Sequence, residues 1–313
     1  MSHGIPQEFI DRIEAIIPIY YKTRFWNLLS KEKETTFRVN PLRTTPQKVL
    51  ETLERDRFRL KRVDWYPGAF ILMKGRQKDL EKTGLYQNGQ IYIQNLSSMV
   101  PPLVLDPKPG ERVLDIAAAP GSKTTQMAGL MRGSGKIVAI DSDRIRCERL
   151  RANVERLGAL NVEVLRDFGE RYGKRNPESF DRILVDAPCS SEGQFCLKNP
   201  GTFLYWKLSR VYEAVKMQKK LLTAAFTALK KGGTLVYSTC TFAPEENEGV
   251  LDWLLSQHGS DVRILPIELP FSNQTAPLSQ WDGKIFHPAV SRAKRILPTE
   301  TMEGFFLAKI VKQ

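Results

Sequence analysis

Cysteine and histidine are the scarce residues of this chain, with four of the first and three of the second among 313. No two cysteines stand as Cys-x-x-Cys, and His3, His258 and His287 are far apart in sequence, so no metal site is expected. Four thiols in so long a chain do not make a disulfide scaffold; they point instead to a reducing, cytoplasmic compartment. No apolar run approaches the roughly 18–20 residues of a membrane span. The opening stretch, residues 1–8, has neither a basic nor an apolar segment, which argues against a secretory signal. Gly-x-Gly-x-x-Gly and P-loop spacings are missing too, which disfavours a dinucleotide or a nucleoside triphosphate. There is no internal repeat and no low-complexity tract.

Acid is also outnumbered. Lys and Arg total 47 against 35 Asp and Glu, a net charge of +12 that suits a polyanionic partner, nucleic acid first. The bases cluster at Arg55, Arg57, Arg59, Lys61 and Arg62 around Phe58, and again at Arg144, Arg146, Arg149, Arg151 and Arg156. Some of each set must be ordinary solvated faces.

The hydrophobic pattern divides the chain at about residue 95. Before it, Phe9, Ile13, Ile16 and Ile17 share a helical face that ends at Pro18, and Tyr20 to Leu29 resumes the helix. A strand at 36–40, a helix at 46–54 with Pro46 in its first turn, and strand-like pieces at 60–65 and 69–73 follow. The region 1–95 therefore reads as a helical and small α+β module, either RNA-associated or a cap. Residues 96–313 alternate strands (112–116, 136–141, 161–165, 180–186, 233–239) with helices, clearest at 144–157 and 209–229. Such alternation predicts an α/β, doubly wound, mostly parallel sheet. Residues 304–310 read as a last strand, antiparallel to its neighbour, with 283–286 as its hairpin partner.

Two thiols follow apolar strands directly, in Ile183-Leu184-Val185-Asp186-Ala187-Pro188-Cys189-Ser190 and Leu235-Val236-Tyr237-Ser238-Thr239-Cys240-Thr241. That places them at the carboxyl edge of the sheet, where open α/β folds form their ligand crevice. The first strand leads into Ala117-Ala118-Ala119-Pro120-Gly121-Ser122-Lys123, small residues that let a ligand approach the backbone before a helix. The second ends at Asp141, a carboxylate for ribose hydroxyls, and the third at Asp167-Phe168, suited to an adenine amine and ring. Ribose and adenine without a phosphate cradle suggest S-adenosylmethionine. Any one of these acids could simply cap a helix.

In combination, the segments 117–123, 186–190 and 238–241 resemble the Nop/Sun family of RNA cytosine-C5 methyltransferases. Gln94-Asn95-Leu96-Ser97-Ser98-Met99, Thr36–Arg43 and Pro244-Glu245-Glu246-Asn247-Glu248 strengthen the likeness. Ala117 and Ser122 depart from the cysteine and glycine of many members; the serine is similar to the wording of the bacterial ribosomal RNA branch. The resemblance implies an S-adenosylmethionine-dependent, Rossmann-like methyltransferase fold. It implies cofactor binding by the 117–123 loop, Asp141, Arg146, Asp167, Phe168 and Asp186, and catalysis by Cys240, Cys189 and Asp186. Ribosomal RNA ranks ahead of transfer RNA as substrate, acted on by a monomer without metal or membrane.

The implied chemistry assigns attack on cytosine C6 to Cys240, made a thiolate by the dipole of a helix opening at Pro244 and by the cofactor's sulfonium. Asp186, protonated or sharing a proton, would hold the N3/N4 edge. Cys189 would act after transfer, in loss of the C5 proton and release of Cys240. Lys198, Asn199, Tyr205 and Trp206 are candidates to touch the extruded base. The plain alternative makes both cysteines buried strand-end packing. A DNA methyltransferase would use Cys189 as nucleophile, and a non-catalytic RNA-binding or remodelling protein would need neither.

Overall fold

The computed structural model describes residues 4–313; His3 and the first residues of the opening segment lie outside them. Helices α1 (Gln7–Ile16) and α2 (Lys22–Leu29) form where the apolar spacing predicts, interrupted at Pro18. They do not join the small sheet that follows. Phe9, Phe25 and their neighbours bury against Phe195, Phe203, Trp206 and Phe242 from the second half of the chain. The Phe9 and Phe195 rings lie 4.8 Å apart, and those of Phe25 and Phe242 5.3 Å.

Strand β1 (Thr36–Val39), helix α3 (Pro46–Arg55), and strands β2 (Arg59–Arg62) and β3 (Ala69–Lys74) come next. Short helices α4 (Gln77–Glu81) and α5 (Gly84–Gln87) lead to β4 (Ile91–Ile93). The four strands pair antiparallel in the order β2-β3-β1-β4. Phe37, Val39 and Phe70 pack on Val49 and Leu53 of α3, the face a period-two pattern requires. Arg38 points the other way and is fully buried. Its Nε donates to Gln94 Oε1 (2.8 Å) and its Nη2 to Thr125 Oγ1 (2.8 Å) and the Ser122 carbonyl (3.0 Å). Burial pulls its pKa down to about 10. Arg38 thus ties the small sheet to the helix that begins at Ser122 in the larger unit.

Helix α6 (Leu96–Leu105) opens the larger unit. The chain then alternates through β5 (Arg112–Asp115), α7 (Ser122–Leu130), β6 (Lys136–Asp141), α8 (Arg144–Leu157), β7 (Val162–Arg166), α9 (Gly169–Arg175), β8 (Phe180–Asp186), α10 (Leu208–Ala228), β9 (Leu229–Thr239) and α11 (Glu248–His258). Strands run parallel in the order β7-β6-β5-β8-β9, so the winding reverses at β5. Neighbouring residues sort to opposite faces. Leu114, Val138 and Ile183 meet α10 and α11, while Val113, Ile137 and Leu184 meet α6 and α7. Burial on both faces explains the near-continuous apolar strands of the sequence.

The chain closes with β10 (Val262–Leu265), β11 (Gln274–Thr275), β12 (Gln280–Trp281), β13 (Lys284–Ile285), β14 (Lys294–Ile296) and β15 (Phe305–Lys312). β15 lies antiparallel to β9, as its pattern predicts. The expected hairpin with 283–286 does not form: β13 turns back on β12, and β14 takes the place beside β15. The reason is local. Gly283, at φ 74°, makes a tight reversal that pairs β13 with the two residues just before it. No described helix is long and apolar enough to cross a membrane.

Candidate active site

Five loops leave the carboxyl ends of β7, β6, β5, β8 and β9 on one edge of the sheet, and they carry the sequence-predicted residues. After β8 and β9, Cys189 Sγ and Cys240 Sγ lie 3.3 Å apart, both partly exposed. The hydrogen bond to Cys240, and then burial, push the Cys189 thiol well above its ordinary value. Cys189 therefore keeps its proton and has Cys240 as its partner.

Asp186, at the end of β8, accepts from Lys123 Nζ (2.6 Å) and from Ser238 Oγ (2.8 Å). Of the two forms expected for Asp186, protonated or sharing a proton, the contact with the Lys123 ammonium corresponds to the second. Burial works against the charge of Lys123, but Asp186 outweighs it and the lysine ends above its ordinary value. Two segments that the sequence presents only as cofactor loop and strand thus meet in one charge pair.

A cavity of about 170 Å³ opens at the same edge of the sheet, lined by Ala117, Asp141, Ser142, Arg146, Phe168, Gly169 and Glu170 among others. Asp141 is 5% exposed, and one of its oxygens accepts the Asp143 amide (3.0 Å). Arg146 reaches both Asp141 (3.3 Å) and the Ala119 carbonyl (2.9 Å), bracing the loop. Phe168 lines the cavity, is 46% exposed, and has the Arg171 guanidinium 4.7 Å from the centre of its ring. Gly169 is required here, since a Cβ would meet the Ile116 carbonyl oxygen at 2.6 Å.

Other predicted residues have partners within the protein. Asp167 binds Arg175 and the Phe168 amide, so it fixes the loop that presents Phe168. Ala118 donates its amide to Ile140, and Gly121, at φ 101°, packs on Leu150 of α8. Pro120 is exposed, with its carbonyl held by Asn153, and the Ser122 carbonyl is taken by Arg38. The 117–123 loop thus touches the cavity through Ala117 and reaches Asp186 through Lys123.

Sequence reasoning missed Asp115. It is buried, accepts from Thr124 Oγ1 (2.7 Å) and has its other oxygen unpartnered; burial pushes its pKa up to about 7. The Asp141 carboxylate and the Phe168 ring, both lining the cavity, fit the ribose and the adenine of S-adenosylmethionine.

A second cavity, of about 260 Å³, adjoins Cys189 and is lined by Ser190, Ser191, Phe195, Thr202, Tyr205, Trp206 and Arg210. Tyr205 is exposed there. Trp206 is mostly buried, with its Nε1 donating to Glu192 (2.9 Å), so it belongs to the packing. Lys198 and Asn199 lie exposed on the loop outside this lining. Pro244 does not open a helix: residues 244–247 form a turn and α11 begins at Glu248. The Asn247 side chain bonds Thr239 Oγ1 (2.6 Å) and the Thr241 carbonyl (3.0 Å), which holds that turn out of helical register.

Elsewhere, Arg57, Arg59, Lys61 and Arg62 are exposed on or beside the outer strand β2. Most arginines of α8 are exposed as well, but Arg156 stacks on Tyr86 and bonds its carbonyl (2.7 Å). Among the described residues, no group of His, Cys, Asp and Glu is placed to hold a metal.

Comparison with known proteins identifies the family. Residues 102–311 match the family 16S rRNA methyltransferase RsmB/F, and residues 5–96 match the N-terminal domain of 16S rRNA methyltransferase RsmF. A tRNA (cytosine(49)-C(5))-methyltransferase of Pyrococcus abyssi is 40% identical, over 92% of this chain and 91% of its own. A ribosomal RNA small subunit methyltransferase F of Vibrio campbellii is 36% identical over 98% of this chain; the chain spans 63% of that relative's length. Among solved structures, a methyltransferase homolog protein from Pyrococcus horikoshii superposes with a TM-score of 0.85 at 37% identity, covering 99% of this chain and 96% of its own. The chain belongs to the 16S rRNA methyltransferase RsmB/F family and is an S-adenosylmethionine-dependent RNA cytosine-C5 methyltransferase.

Proposed function

We propose that Cys240 bonds transiently to C6 of an extruded cytosine, that Cys189 resolves the adduct, and that the RNA is ribosomal. The observation that carries this reading is the 3.3 Å separation of the two sulfurs beside the Lys123–Asp186 pair. With Cys189 holding its proton, Cys240 is the thiol left to act as nucleophile. Its sulfur forms the bond to C6 while the C5=C6 electron pair moves into the ring. The Lys123–Asp186 pair meets the N3/N4 edge and supplies a proton as charge develops there. When bound, the cofactor supplies an electrophilic methyl group, held by Asp141, Arg146, Phe168 and Ala117.

Once C5 carries both its hydrogen and the methyl group, Cys189 releases its own proton to solvent through the cavity beside it and takes the proton from C5. The N3-edge proton returns to the Lys123–Asp186 pair, the sulfur–C6 bond breaks with Cys240 leaving as a thiolate, and the C5=C6 bond returns. Tyr205, in the cavity beside Cys189, faces the path of a base drawn from its stack. The exposed arginines near β2 provide contact with phosphate. A division of the chain near residue 95, a single copy and a cytoplasmic location belong to the same reading.

The test is substitution with product analysis. Cys240→Ala should abolish transfer, and Cys189→Ala should accumulate a covalent protein–RNA adduct. Full turnover by Cys240→Ala would overturn the assignment and leave the DNA-type use of Cys189 or a non-catalytic role. A transfer RNA substrate is the second reading, favoured by the full-length match to the archaeal tRNA enzyme. Bisulfite mapping of both RNA classes with and without the protein decides between them.

A further inference from the structure

The two cysteine loops are joined behind the sulfurs by a chain of buried oxygens. Ser190 Oγ lies 2.5 Å from Glu246 Oε1 and 2.7 Å from Thr241 Oγ1, and Thr241 Oγ1 lies 2.9 Å from Glu192 Oε2. Ser190 follows Cys189 and Thr241 follows Cys240. These three oxygen–oxygen contacts need three hydrogens, yet the two hydroxyls bring only two. The third must sit on a carboxyl group, or one contact sets lone pair against lone pair.

We propose that Glu246 and Glu192 share one proton along the Ser190 and Thr241 hydroxyls, and that this proton clamps the Cys189 loop to the Cys240 loop. Glu246 is then a positioning residue for the methyl transfer; this rests on the cysteine reading above.

The remaining bonds place the proton at the Glu246 end. Glu192 accepts from Trp206 Nε1 (2.9 Å) and the Phe242 amide (3.1 Å) as well as from Thr241, which suits a charged carboxylate. Arg12, bonded to Glu245 and near Tyr212, adds positive charge on the Glu192 side. Glu246 Oε2 accepts from Gln218 (2.7 Å) and the Ser190 amide (3.1 Å), which leaves Oε1 to hold hydrogen toward Ser190. The other ionisable groups facing Glu246 are Glu192, Cys189 and Tyr237, none of them a cation; from α10 the facing group is the neutral Gln218. Both carboxyls are buried, and burial pushes Glu246 up to about 8 and Glu192 upward. Above that range the proton leaves, two buried negative charges face each other, and the clamp opens.

Glu246→Gln imitates the protonated acid, with its amide nitrogen donating to Ser190 and its oxygen accepting from Gln218. Glu246→Ala removes the link. Turnover at pH 7 should fall about tenfold or more in the alanine variant, the factor for a lost buried network bond, and glutamine should recover most of it. The wild-type rate should decline as pH passes about 8, and E246Q should lack that decline. Independently, infrared difference spectra of the RNA-free protein at pH 7 should show a carboxylic-acid carbonyl stretch that E246Q loses. Loss of turnover in a folded E246Q equal to that in E246A, an unchanged alkaline decline in E246Q, or identical infrared spectra would each overturn the proposal. The infrared arm needs no catalysis, so it separates failure of the proton assignment from failure of the cysteine reading, and it stands even if E246A does not fold.

Discussion

Replacing Lys123 by methionine removes one half of a charge pair in which Lys123 is 9% and Asp186 30% exposed. At 2.6 Å and an effective dielectric of about 20, the gross attraction is about 6 kcal/mol. Desolvation of both groups offsets much of that, but truncating one partner strands the other. Breaking a buried pair costs about 3–5 kcal/mol. The partial exposure of Asp186 and its remaining bond from Ser238 put this site at the low end, about 3 kcal/mol. In a chain of this size the melting temperature should fall by about 6 °C. Single-turnover methylation should slow roughly 100-fold, the usual loss when one donor to a developing charge is removed. The Lys123→Met/Asp186→Asn double variant no longer strands a charge, so it should recover roughly half of the lost stability while staying inactive. Thermal unfolding of both singles and the double, with single-turnover assays, supplies the comparison. Additive losses across the cycle would refute the argument, because they would mean the two groups do not sense each other.

Asp141→Asn keeps the shape but removes the charge at the end of β6, and should weaken cofactor affinity by roughly 10–100-fold by calorimetry, as for a charged hydrogen bond; unchanged affinity would remove Asp141 from the cofactor site. Asp115 and Glu246 have pKa values raised to about 7 and about 8, so the folded state keeps protons that the unfolded chain has already released. Their contribution is complete below the ordinary carboxyl range and is lost as pH rises through 7 and 8. Urea unfolding at pH 8.5 should therefore give a stability lower than at pH 5 by a few kcal/mol, and a rise would contradict both assignments. A Cβ at Gly193 would lie 2.1 Å from the Gly304 carbonyl oxygen, so Gly193→Ala should destabilise by about 2 kcal/mol or more in the same assay. RNA affinity should fall steeply between low and physiological salt, and less steeply once Arg57, Arg59 and Lys61 are replaced.

The sheet was legible because its strands are buried on both faces and its helices keep a 3.6-residue stripe. Lys136–Asp141 and Arg144–Leu157 fall on their predicted limits. The two thiols were legible because each follows such a strand without a turn residue between. What pattern cannot carry is pairing across distance. Nothing local to Lys123 says that its ammonium lands on Asp186, and Arg38 in an alternating strand reads as solvent-facing until α7 covers it. Gln218 did leave a trace: it breaks the apolar stripe of Val211, Val215, Leu222 and Phe226, and it is buried against Glu246. The hairpin at 283–286 failed because a two-residue strand takes its partner from turn geometry rather than from hydrophobic pattern.

The docking of α1 and α2 has a consequence for how the molecule assembles. Tyr21 donates to the Pro298 carbonyl (2.5 Å), 277 residues away, and the Leu197 amide bonds the Leu29 carbonyl (2.7 Å). Helices α1 and α2 thus carry apolar faces whose partners, chiefly Phe195, Phe203, Trp206 and Phe242, lie in the second half of the chain. Contacts of such long range form slowly. Until the 195–242 stretch is in place those faces have nothing to cover them, so they are the surfaces most open to wrong partners while the molecule assembles.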